Sequence, residues 1–192
     1  MGANLGQEKE SYAARGLNVI WVEPIPEVFG RLRNLLEPYP AQKAFCHLIT
    51  DVDNREYTFH ISSNEGLSSS IFDLAKHKKL SPDVTFTKSI VLSSISLSSF
   101  VRHQQVNLAD YDALVLDTQG SELLVLRGAV DILPAFKFIK TEVADFESYK
   151  GCCQLSELDD FFRAQRFRRV AKVRFAYKFG VGSYYDVVYA PN

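Results

Sequence analysis

YDALVLDTQGSELLVLRGA, residues 111–129, changes its hydrophobic period halfway along, and that change decides the fold. Residues 111–116 form a compact apolar run of strand length that ends on Asp117. Residues 120–129 then set Leu123, Leu124 and Leu126, with Val130 just beyond, toward a core at helical spacing. A strand that delivers an acid to a turn and passes into a helix is the repeating unit of an α/β sheet. Open α/β sheets bind ligands at the carboxyl edges of their strands. Asp117 at that edge can accept a proton from a hydroxyl, orient a substrate or ligate a metal. Equally, Asp117 or Ser121 can cap the helix while Glu122 favours its dipole. The residues alone leave both readings open.

The same alternation continues outward. Residues 7–16 read as a short helix closed by Gly16, and 17–23 (LNVIWVE) as a strand that Pro24 and Pro26 terminate. Residues 27–36 place Val28, Phe29, Leu32, Leu35 and Leu36 on one helical face. Residues 44–49 are a further apolar run, 51–54 a turn, and 55–61 an alternating strand through Tyr57, Phe59 and Ile61. Residues 62–70 (SSNEGLSSS) are loop-like and 71–79 weakly helical, before a strand over 87–95 and a serine-capped helix over 96–103. Downstream come a strand over 136–143, a helix over 155–165, and closing strands near 167–175 and 183–190 joined through 178–182. The order predicts one domain over 1–192, built on a doubly wound, mostly parallel α/β sheet. It has helices on both faces and an antiparallel C-terminal hairpin.

Composition fits that prediction. The chain has 192 residues, 22 basic and 23 acidic, for a net charge of −1. Such balance offers no footprint for nucleic acid and no polybasic membrane anchor. Apolar residues make up 46% and charged residues 23%, as in ordinary globular domains. No apolar run reaches the ~18 residues of a membrane span, and the N-terminus lacks the basic start and apolar stretch of a signal peptide. Cys46, Cys152 and Cys153 are odd in number and make no C-x-x-C pair. A reducing, cytoplasmic setting is therefore expected.

A second constellation lies at the start of the chain. Gly2, Asn4 and Gly6 precede a helix, and Glu23 closes the following strand, 17 residues after Gly6 and 21 after Gly2. Glycines ahead of a helix let a ligand approach the backbone, and an acid about 20 residues on can accept from ribose hydroxyls. A glycine turn followed by a surface Glu before a proline is the alternative.

Together these segments resemble the FkbM family of S-adenosylmethionine-dependent methyltransferases. LVLDTQGSELLVLRGA (114–129) carries every position of its signature Asp-x-x-Gly-x-Glu-x-x-x-Leu-x-Gly-Ala. VEPIPEVFGRLRNLL (22–36) is similar to its Glu-Pro-x-Pro-x-x-Phe-x-x-Leu, with Asn34 two residues after that Leu. GANLGQE (2–8) resembles the end of the first cofactor motif, and NEGLSSS (64–70) a family loop. The resemblance implies a class I methyltransferase-like, Rossmann-type fold with S-adenosylmethionine as cofactor. The acceptor it implies is a small molecule, a hydroxyl on a sugar or natural product. It implies Gly2, Asn4 and Gly6 at the methionine end of the cofactor, Glu23 on its ribose and Asp51 near its adenine. Asp117 would face the acceptor, with Glu142 a second acid at the sheet edge. Two departures stand out. Leu97-Ser98 replaces the usual Leu-Asp, and Met1 stands where a first strand should already be finishing, so the domain is expected to be truncated by one strand.

An inactive relic or partner-binding module is the rival reading; a dinucleotide oxidoreductase is disfavoured by the 117–128 signature and the length. His47, His60, His77 and His103 lack H-x-x-x-H spacing, so no metal site is expected. The basic positions from Arg163 to Arg174 read as a solvated face, and Tyr184-Tyr185 as core or acceptor lining. Homo-oligomerisation remains compatible with the sequence.

Overall fold

Most strands and helices form where the periods place them, but the apolar run over 44–49 is divided between two strands. The computed structural model describes residues Met1–Asn192. In chain order it comprises α1 (Lys9–Ala14), β1 (Val19–Val22), α2 (Pro26–Leu35), β2 (Gln42–Phe45), β3 (Leu48–Thr50), β4 (Glu56–Ser62), α3 (His77–Leu80) and β5 (Phe86–Ser96). There follow α4 (Leu97–His103), β6 (Ala113–Leu116), α5 (Glu122–Arg127), β7 (Phe138–Ala144), α6 (Leu155–Ala164), β8 (Phe167–Lys178) and β9 (Gly182–Pro191). Local chemistry sets the boundaries. Pro26 opens α2, where a missing N–H costs nothing. Ser96 caps α4 by accepting from Ser99 N–H at 3.2 Å, and a Gln154–Glu157 capping box opens α6. The helix expected over 71–79 is confined to α3. Ala75 and His77 donate their N–H groups to Ser148, so this backbone is already paired elsewhere.

The strands make an α/β fold with mixed sheets. β1 and β2 pair in parallel, β5 lies between β3 and β4, and a four-stranded sheet runs β6–β7–β9–β8. β3–β5 and β6–β7 are parallel, whereas β4–β5, β7–β9 and β8–β9 are antiparallel, the last being the expected hairpin. The main core joins Leu114, Leu116, Ile139, Val143, Val187 and Tyr189 of the four-stranded sheet to α4, α5 and α6. Phe100, Val125, Leu158 and Phe162 are among the buried helix residues there. Helices flank β1 on both sides: Val22 packs with Leu97 and Phe100, and Trp21 packs with Leu32, Leu36 and Tyr12. The other face of β6 and β7 carries Ala113, Val115 and Phe138 exposed.

β1 and β6 face one another across a seam without pairing. Val19 and Glu23 donate toward β2, so strand alternation turns the backbone of Ile20 and Val22 into the seam. Asp112 accepts from β7, so Ala113 and Val115 likewise face the seam. Met1, Gly2 and Ala3 bridge it, Ala3 N–H donating to Val22 O at 3.1 Å. Met1 donates to Val115 O at 2.8 Å and accepts from Asp117 N–H at 3.1 Å. Gly2 N–H donates to Val22 O at 3.0 Å. Beyond them the seam opens into a largely apolar cavity of about 580 Å³, lined by Val19, Ile20, Leu114, Val115, Leu97 and Phe100 among others.

Candidate active site

Three turns meet at the carboxyl ends of β1 and β6. The first is the glycine turn, Gly2 to Gly6. Gly2 has φ +73°, and a Cβ there would lie 1.7 Å from Asp117 O, so only glycine permits this approach. Asn4 is also left-handed, at φ 45°, and is buried. Its Oδ1 accepts from Leu5 N–H at 2.8 Å, and its Nδ2 donates to Glu65 O at 3.0 Å.

The second is Glu23, buried at the end of β1. Its Oε2 accepts from Asn4 N–H at 2.8 Å, and its Oε1 from Ile25 N–H at 2.9 Å. Burial pushes its pKa up, against those two hydrogen bonds. Each oxygen keeps a further lone pair.

The third is the turn from Asp117 to Ser121. Glu122 lies beneath it, 3% exposed, and accepts from Thr118 N–H at 2.8 Å and Gly120 N–H at 3.0 Å. Burial raises its pKa too. The carboxylate satisfies donors that the turn would otherwise leave unpaired, in the manner of a cap. The serine loop ties the turns together. Asn64 Oδ1 accepts from Ser62 Oγ at 2.6 Å, and Ser70 Oγ donates to Gln119 O at 2.7 Å.

Between these turns lies a cavity of about 150 Å³. Gly2, Asn4, Glu23 and Asp117 line it, with Ile25, Leu48, Ile49 and Phe59 on its apolar side. Glu8, Glu23 and Asp117 supply carboxylates, and neither lysine nor arginine is present in the lining. Asp117 also lines the larger cavity, where Glu142 lies beside it. Asp117 is exposed to solvent at this edge, while the protein packed around its carboxylate raises its pKa by desolvation. Glu142 is pushed up to about 8, by burial first and then by Asp117, Glu122 and Asp186. Such a pair holds one proton between two acids near neutral pH.

Two expected site residues stand elsewhere. Gly6 faces the packing between α2 and β1: a Cβ there would meet Leu32 Cδ1 at 2.9 Å and Trp21 at 3.7 Å. Its left-handed φ of +62° serves the turn into α1, so it is a packing glycine outside the cavity lining. Asp51 follows β3 beside Gly128 and is also absent from the lining, with its Oδ1 buried and unpartnered. Tyr184 is buried with Ala144 and Phe146, and Tyr185 donates to Asp145 at 3.0 Å. Glu122, Gln119 and Tyr149 were not singled out from sequence as site residues. For Glu122 the signals were its place in the 117–129 signature and its offset from Thr118, one helical turn on.

With this geometry established, the comparisons decide the lineage. Residues 1–169 match the Methyltransferase FkbM domain. The chain belongs to that family. No curated protein matches it. Among solved structures, a cysteine-to-alanine variant of LepI in complex with SAH and substrate analogue superposes with a TM-score of 0.50 at 10% identity. A pericyclic reaction enzyme gives 0.49 at 12%. Each alignment covers 100% of this chain and 42% of the other, so the chain spans less than half the length of these structures. The first likeness is one of fold. No helix is long and apolar enough to cross a membrane.

Proposed function

We propose that the chain carries an S-adenosylmethionine site and a methyl-transfer centre whose acceptor is a hydroxyl of a small molecule, a sugar or natural product. The carrying observation is the cavity lining, which offers three carboxylates and no lysine or arginine. S-adenosylmethionine is cationic at its sulfonium and its ammonium, so a negative lining suits it. The positions of Gly2 and Glu23 fit it as well. Gly2 lines the cavity with its backbone, and Glu23 is held rigid by two N–H groups with lone pairs left for a diol. Ile25, Leu48, Ile49 and Phe59 supply the apolar wall a purine needs. When bound, the cofactor supplies an electrophilic methyl group.

The chain's own part is orientation and proton transfer. Asp117 would accept the proton of the acceptor hydroxyl, and the cofactor would supply the methyl group that replaces that proton. Glu142, protonated near neutral pH, leaves the single negative charge of the pair on Asp117. The acceptor enters from the larger cavity, which meets the smaller one at Asp117. The finer reading of the fold belongs here too. One further parallel strand in the seam would join β2–β1 and β6–β7–β9–β8 into a single doubly wound sheet.

Methyl transfer from isotopically labelled cofactor to a panel of sugar and natural-product alcohols tests the reaction. Asp117→Asn is expected to lower kcat by about 100-fold or more, a typical loss for a general base, with little change in cofactor affinity. An equal rate in the variant removes Asp117 from the chemistry, and no transfer to any alcohol favours the relic.

A further inference from the structure

Asp117 is not free to turn. Its Oδ1 accepts from Gln119 Nε2 at 2.5 Å, and Gln119 Oε1 accepts from the Tyr149 hydroxyl at 2.7 Å. Tyr149 comes from the loop between β7 and α6, 30 residues along the chain from Gln119. It is 1% exposed and stacks on His77 with ring centroids 5.3 Å apart. Its hydroxyl also lies 3.2 Å from Ser68 O. With one proton to give, the shorter contact takes it. An ionised carboxylate only accepts, so the end of the amide beside Asp117 is its NH2 group, and the oxygen faces Tyr149. The main chain of Gln119 is pinned separately by the Ser70 hydroxyl, in a left-handed conformation at φ 52°. Such a conformation in a non-glycine residue persists only where its surroundings hold it. Gln119 is therefore fixed at both ends by groups from distant parts of the chain.

We propose that Gln119 is a positioning residue for the Asp117–Glu142 pair, and that Tyr149 sets the direction in which its amide points. The inference rests on the methyltransferase reading of the site. The amide donates to Asp117 and so keeps the negative charge of the pair on that carboxylate, the one shared by both cavities. A neutral donor does this without cancelling the negative lining, as a lysine or arginine would. The other charged groups around Asp117 are the Met1 amine, Glu142 and Lys140 from β7, Asp186 from β9 and Glu122 from α5. Lys140 and Asp186 are 3.0 Å apart and largely offset each other. The Gln119 amide favours the charged form of Glu142 as well, but its hydrogen bond, at 2.5 Å, is to Asp117, and that contact biases the pair.

Tyr149→Phe keeps the buried ring and removes the hydroxyl. The Gln119 oxygen then loses its donor, the amide turns, and Asp117 loses its N–H. On the full chain without cofactor, carbon-13 NMR should show the Asp117 titration moving up by about one pH unit, a tenfold gain in proton affinity. The acid limb of the pH–rate profile for methyl transfer should move with it, while KM for S-adenosylmethionine stays the same. Gln119→Met removes both contacts at the cavity surface and should give the same upward shift, even if Tyr149→Phe does not fold. A folded variant with an unchanged Asp117 titration overturns the proposal. A shifted titration in a chain that transfers no methyl group upholds the relay and overturns the methyltransferase reading.

Discussion

At the carboxyl end of the β1–β6 seam, Met1, Gly2, Glu23 and Asp117 are joined by main-chain and carboxylate hydrogen bonds, and hardly a donor is left idle. At the amino end, Ile20 and Ala113 look across an apolar cavity of about 580 Å³. The difference teaches how this site is held. Its geometry comes from acidic side chains that accept from backbone turns, Glu23 beneath the glycine turn and Glu122 beneath the Asp117 turn. The sheet behind it supplies support at only half the seam.

Filling the open half is the strongest way to test that contrast. Four apolar residues in the seam would each contribute about 1.5–3 kcal/mol by burial, against about 1–2 kcal/mol each for ordering. The net of about 2–4 kcal/mol corresponds to roughly 5–15 °C in Tm for a chain of this size. A Val/Ile-rich tetrapeptide fused ahead of Met1 should raise the calorimetric Tm by that amount and tighten S-adenosylmethionine binding. A fusion carrying Pro at its two central positions, which removes the ladder donors, should do neither. Equal melting of the two fusions would show that the seam does not take a strand.

A smaller effect sharpens the closed half. Glu142 titrates near 8 in the folded chain, against about 4.3 unfolded. The folded state therefore binds the extra proton between those values, and stability from this group is full below about pH 4 and declines as pH rises through 8. Glu142→Gln removes the decline. Denaturant melts should find the variant more stable than the parent at pH 9, by about 1–2 kcal/mol once solvent screening at this half-buried site is allowed for, with a smaller gap at pH 5. A parallel decline in both proteins would place the titration elsewhere.

Much of this was legible in the sequence where structure is local. The period change at 111–129 located β6, α5 and the acid between them, and the prolines after 23 located α2. Asp117, Glu23, Gly2 and Asn4 reached the cavity because each sits at a strand end or in a turn that the periods define. Gly6 lies outside the cavity lining, and a glycine that admits Leu32 and Trp21 has the same signature in sequence as one that admits a ligand. Asp51 lies outside it too, because a strand terminus does not say which way its side chain faces. Tyr149 left no signal, as its contact with Gln119 closes a loop of 30 residues. The seam depends on which strands fail to pair, and that is a non-local property no hydrophobic period records.

The central claim is that Glu23 and its neighbours form a cofactor site at the closed end. Isothermal titration of S-adenosylmethionine into the chain carrying the fused strand, beside its Glu23→Ala variant, tests this most directly. Binding that weakens at least tenfold in the variant, about 1.4 kcal/mol, with the fold intact by circular dichroism, is the predicted result. Equal affinity in the two proteins would contradict the account.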